Sequence, residues 1–129
     1  MAIEANELRI GNLVFDHLGR VQTVAETRVD AYICYLSSGA KLKYKLNTAQ
    51  PIPLTEKWLL KLDFTKDEYG FFKWGFYLEN RANDTHSKGV FKEDFGAWIN
   101  NSYLREIRFV HQLQNLIFAL CGEELTVKL

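Results

Sequence analysis

The stretch VHQLQNLIFALC at residues 110–121, followed by Gly122, constrains this chain more than any other. At 100° per residue, Val110, Leu113, Leu116, Ile117, Leu120 and Cys121 fall within about 140° of arc, the width of a core-facing helical stripe. Gly122 stands where a left-handed residue closes a helix. Such a helix needs an apolar surface to pack on, and most of the preceding sequence reads as strand.

Residues 8–52 read as short strands joined by tight turns. LRIGNLVFD runs to a turn at His17-Leu18-Gly19, and RVQTVAETRV forms a second strand. AYICYL is a third, closed by Ser37-Ser38-Gly39. KLKYKL then alternates strictly, with Leu42, Tyr44 and Leu46 on one side and Lys41, Lys43 and Lys45 on the other. An aromatic share of 14% suits pleated, half-buried surfaces. So many short strands in so little chain predict a small, strongly bent sheet closing as an SH3-like barrel.

Pro51-Ile52-Pro53 is a stiff connector, because each ring fixes its own φ and restricts the residue before it. Thr55 is a good N-cap and Glu56 suits a first helical turn, so TEKWLLKLDF is expected to be a short helix burying Trp58, Leu59 and Leu62. In GFFKWGFYLEN, Phe72, Trp74, Phe76 and Leu78 are expected to share one strand face. RANDTHSKG reads as a polar loop. VFKED and FGAWI read as short strands, Asn100-Asn101-Ser102 as a turn and ELTVKL as a closing strand. The fold class expected is α+β. An SH3-like small β-barrel over residues 1–52 precedes a lobe over residues 53–129, in which a small antiparallel sheet carries two packed helices.

Charge narrows the function classes. The 129 residues hold 16 Lys and Arg against 16 Asp and Glu, so no global field draws in DNA, RNA or an anionic membrane. The first residues show no signal-peptide pattern and no stretch has the length of a membrane span, so a cytoplasmic protein is expected. Cys34 and Cys121, both in apolar surroundings, are expected to be buried, reduced thiols.

Catalysis finds little support. His17, His86 and His111 have no metal-ligand spacing, and the cysteines form no CxxC, so neither metal nor cofactor is expected. Asp94-Phe95-Gly96 matches a kinase magnesium motif in a chain without the remaining machinery, and is a chance match. A Cys121–His111 dyad fails on the helical wheel, where the two lie about 80° apart.

Two surfaces are candidates for binding. His111, Gln114, Asn115 and Phe118 share one flank of the helix, and Trp98 with Phe95 and Ile99 offers an apolar patch. Read functionally, the flank contacts a peptide or a base. Read architecturally, its amides tie down loop backbone, and that reading carries more weight because buried amides commonly do so. Lys41, Lys43 and Lys45 with Tyr44 form the second surface, suited to tracking a nucleic-acid backbone. Lysine on an outer strand face is also routine protection against edge pairing.

The stretches ELRIGNLV, PIPLTEKWLLKLDF and FVHQLQNLIFALCGEELTVKL, with the GFF strand between the last two, together resemble a family of small uncharacterised proteins from gut Bacteroidetes genomes and their phages or mobile elements. The resemblance implies a bacterial cytoplasm and a phage accessory role, and it carries no mechanism. The function expected is a non-catalytic interaction module that binds a protein. The alternative is a weak nucleic-acid binder using the lysine-rich strand face.

Overall fold

The computed structural model describes residues 8–27, 32–36, 44–68, 70–80, 95–99 and 102–125. It is an α+β fold with two antiparallel sheets and two helices, and the chain divides into two compact units. The first unit takes residues 1–53 and 109–124, the second residues 54–108 and 125–129. This differs from the expected division after residue 52. The C-terminal helix belongs with the first unit, where its Gln114 amide bonds the Leu13 N–H and the Gly11 carbonyl.

In the first unit, β1 (Leu13–Phe15), β2 (Val21–Thr27), β3 (Tyr32–Tyr35) and β4 (Tyr44–Lys45) form a curled half-barrel sheet in sequential order. The register slips between Val24 and Glu26, a bulge that sharpens the bend of β2. A 3-10 turn at Leu46–Thr48 follows β4. The chain then returns to the first strand: Phe15 and Gln50 exchange both backbone hydrogen bonds at 2.9 Å. Leu8, Val14, Val24, Ile33, Tyr35, Leu46 and Ala49 form the core, with Tyr44 packed against it. Lys41 and Lys43 lie outside the described residues.

Helix α2 (Val110–Cys121) packs on β1. Its start is held by Gln112, whose side-chain oxygen accepts the Phe109 N–H at 3.1 Å. Its end is Gly122 at φ 69°, where the Gly122 N–H donates to Phe118 O. That φ favours glycine, as the sequence predicted. The buried residues are Val110, His111, Leu113, Gln114 and Ile117, while Leu120 and Cys121 are exposed. The buried arc is therefore turned by about 70° from the apolar stripe. The expectation of a buried Cys121 thiol is corrected, while Cys34 is buried as expected.

In the second unit, α1 (Glu56–Lys61) starts where Thr55 accepts the Trp58 N–H, as expected. It ends through Asp63 at φ 66°, with Asp63 N–H on Leu60 O and Phe64 N–H on Leu59 O, the paired bonds of a Schellman cap. Leu59 and Leu62 are buried, and Trp58 is half-buried beneath the Lys61 ammonium at 4.9 Å. A five-stranded antiparallel meander follows: β5 (Thr65–Lys66), β6 (Gly70–Lys73), β7 (Phe76–Asn80), β8 (Phe95–Ile99) and β9 (Ser102–Ile107). A Cβ on Gly70 would lie 2.1 Å from Leu78 O, so only glycine lets these backbones approach.

The expected single strand over GFFKWGFYLEN is two strands. Trp74 (φ 52°) and Gly75 (φ 82°) form the two-residue turn between β6 and β7, with the left-handed pair of a type I′ hairpin. The turn separates the four residues expected on one face. Phe76 and Leu78 are buried; Phe72 and Trp74 are exposed. Strand β9 was not expected, because the register slip between Ala97 and Trp98 breaks its alternation. Of the expected closing strand, residues 126–129 lie outside the described residues, as do VFKED at 90–94 and the loop before it.

Candidate functional site

The helix flank singled out by the sequence is occupied. Gln114 is 1% exposed; its Oε1 accepts the Leu13 N–H at 2.9 Å and its Nε2 donates to Gly11 O at 3.3 Å. Asn115 Oδ1 accepts from Asn12 Nδ2 at 2.8 Å and from Arg9 Nε at 3.2 Å. The Arg9 guanidinium lies 4.1 Å from the centre of the Phe118 ring and also pairs with Glu124. His111 is buried and stacks on Phe109 at 5.9 Å between ring centroids. The structure thus brings His111, Gln114, Asn115 and Phe118 onto one helix, and joins Gln114, Asn115 and Phe118 to the loop at residues 9–13. Only Phe118, 40% exposed, presents a large surface to solvent.

A second polar centre lies in the same unit. Asp16 is buried, and its carboxylate accepts from the Leu18 and Arg20 N–H groups, Arg20 Nε and Gln22 Nε2, all within 3.0 Å. Burial favours the neutral acid, but the donors from Gln22, Arg20 and Leu18 outweigh it and hold the carboxyl well below the usual range. Tyr35 shifts the other way: burial, then the charges of Asp16 and Tyr44, push its phenol up to about 12. Tyr44 lies between the rings of Tyr35 and His17, at 5.3 and 5.6 Å. Of the lysine-strip candidates, Lys45 is exposed and Tyr44 is half-buried in this ring cluster. Among the described residues, no group of His, Cys, Asp or Glu is arranged to hold a metal ion. No described helix is long and apolar enough to cross a membrane.

The second unit shows the opposite arrangement. Its buried side chains, Phe71, Phe76, Leu78, Phe95, Ala97 and Ile107, alternate along the strands with residues of the other sheet face. Across that face the pairings run Thr65 to Phe72, Phe72 to Tyr77, Tyr77 to Trp98 and Trp98 to Tyr103. Four aromatic rings therefore occupy one continuous cross-strand row. Phe72 is 44% and Tyr103 43% exposed, while Tyr77 and Trp98 are half-buried. Trp98 and Tyr103 meet edge to face at 5.3 Å. Trp98 Nε1 donates to Glu79 Oε2 at 3.2 Å and Tyr77 OH donates to Asp67 Oδ1 at 3.1 Å, so polar contacts orient both ring edges.

Trp98, placed among the binding residues from sequence, is a member of this row; Phe72, Tyr77 and Tyr103 were missed. The signal was present in the turns. A two-residue turn at Trp74-Gly75 sets Phe72 opposite Tyr77, and the antiparallel register of β8 and β9 sets Trp98 opposite Tyr103. A scan against protein-family models, a search of curated proteins and a search of solved structures each found no match.

Proposed function

We propose that this chain is a non-catalytic interaction module that binds a protein through the aromatic row of its second sheet. The observation that carries the reading is the alignment of Phe72, Tyr77, Trp98 and Tyr103 in one cross-strand row on the face opposite the buried one. Large, stiff rings gain contact area while losing little side-chain freedom, which is why aromatics concentrate where proteins bind. The reading keeps Trp98 from the sequence-based set and moves its neighbours from the helix to the sheet.

The first unit is read as an SH3-like barrel. The 3-10 turn after β4 and the Phe15–Gln50 pairing support that reading, since they turn the chain back onto β1 as barrel closure requires. The resemblance to Bacteroidetes and phage-associated proteins supports a role in the bacterial cytoplasm tied to a mobile element.

The test is affinity capture with tagged chain from cells carrying the native gene, with nuclease present. The expected result is a partner recovered by wild type and lost with Phe72→Thr/Tyr103→Thr, a variant that keeps strand propensity. Recovery that survives this variant, or that depends on nucleic acid, removes the proposal.

A further inference from the structure

The aromatic face also carries charge, and its sign identifies the partner's chemistry. The row next to the rings runs Gly70, Glu79, Gly96, Glu106 in register. At the paired positions of this face, the charged residues are Glu79 and Glu106, both acidic. Asp67 adds a carboxylate at the Tyr77 hydroxyl. Same-face neighbours along a strand are about 6.6–6.8 Å apart, and neighbouring strands about 4.8 Å. Each glutamate therefore stands within one side-chain length of a ring. The Trp98–Glu79 hydrogen bond fixes one such pair.

We propose that the segment received by this face is a cationic, extended peptide carrying arginine or lysine side chains; this rests on the interaction-module reading above and names the chemistry of its partner. A guanidinium stacks on an aromatic face and at the same time donates two parallel hydrogen bonds to a carboxylate. An alternating ring-and-carboxylate surface offers both contacts. In an extended peptide, alternate side chains project to one side at the same spacing as the two rows. The chain already uses the pairing internally: Lys61 lies over Trp58, Lys73 over Trp74 and Arg9 over Phe118. Charge argues against the other occupants. Stacking a second copy face to face brings the two glutamate rows together, and nucleic-acid phosphates meet the same repulsion.

The test titrates the full chain with a short fluorescent peptide of alternating arginine and serine, read by anisotropy at low salt. A glutamate–serine peptide is the control. The arginine peptide is expected to bind, less tightly as salt rises, and the glutamate peptide not to bind. Glu79→Gln/Glu106→Gln is expected to weaken binding roughly tenfold, from the loss of two partly screened charge contacts. The glutamine at 79 retains an acceptor for Trp98 Nε1, and Glu106→Gln alone serves if the double variant melts early. Glu123→Gln, in the first unit, is expected to leave binding unchanged. Equal arginine-peptide binding by wild type and the glutamine variants, or none by wild type, overturns the proposal. Capture of a cellular partner separates the two readings. If Phe72→Thr/Tyr103→Thr abolishes capture and the glutamine variants do not, the cationic assignment falls while the module reading stands. If neither affects capture, both fall.

Discussion

The two units handle their polar and aromatic side chains in opposite ways. In the first, Asn12, Asp16, His111 and Gln114 are buried; Gln114 and Asp16 accept the backbone N–H groups of Leu13 and Leu18, and Asn12 donates to Asn115. In the second, the sheet buries an apolar face and carries aromatic rings on its other face. Burying a polar group is costly unless its hydrogen bonds are made, so the first unit's polar residues are tied to one geometry. An exposed aromatic row is not required for the fold in the same way. Gln114 and Asn115 on the polar helix flank are held by the loop at residues 9–13, whereas the rings of the second unit lie on the sheet face proposed for binding.

The sharpest way to break the second unit is at Gly70. Gly70→Val places a Cβ against Leu78 O and is expected to cost more than about 3 kcal/mol, the upper end of overpacking. Urea unfolding measures it, and a near-neutral result would show that β6 and β7 do not approach so closely. In the first unit the corresponding change is Gln114→Leu. It strands the Leu13 N–H and the Gly11 carbonyl, and is expected to cost about 2–3 kcal/mol in the same assay. A cost near zero would make the amide a bystander.

The polar centre of the first unit also predicts a pH profile. Asp16 has a folded pKa below its ordinary 3.8. Its contribution to stability is therefore present above 3.8 and is lost as pH falls from there through the lower folded value. Tyr35 is raised from 10.0 to about 12, so its contribution is whole below 10 and is lost as pH rises between the two values. Urea midpoints across pH are expected to fall at both ends. Asp16→Asn should flatten the acid side and Tyr35→Phe the alkaline side. The smallest effect on stability is expected on the aromatic face, where Phe72→Thr/Tyr103→Thr should cost about 1 kcal/mol or less while removing binding. A collapse of the fold in that variant would place the row in the core and erase the contrast between the units.

Much of this fold was legible because period and punctuation agree locally. Thr55, Gly122 and the alternation at Tyr44–Lys45 each act through neighbours only a few residues away. The failures have physical causes of longer range. The burial of α2 is set by where the Gln114 amide finds backbone partners about a hundred residues earlier, so Gln114 turns inward and Cys121 outward. Trp74 occupies a left-handed turn position that sequence preference assigns to Asn, Asp or Gly. Missing that turn hid the Phe72–Tyr77 pair. Trp98 was recognised by its type alone; its row became visible only with the register of β7, β8 and β9.

An amide and indole shift map of isotope-labelled chain titrated with the arginine–serine peptide shows whether the aromatic row is the binding surface. Shifts are expected at Phe72, Tyr77, Glu79 and Tyr103 and at the indole N–H of Trp98, with residues 111–118 and Lys45 unmoved. Shifts centred on the helix flank or on Lys45, with the Trp98 indole unchanged, would contradict that surface.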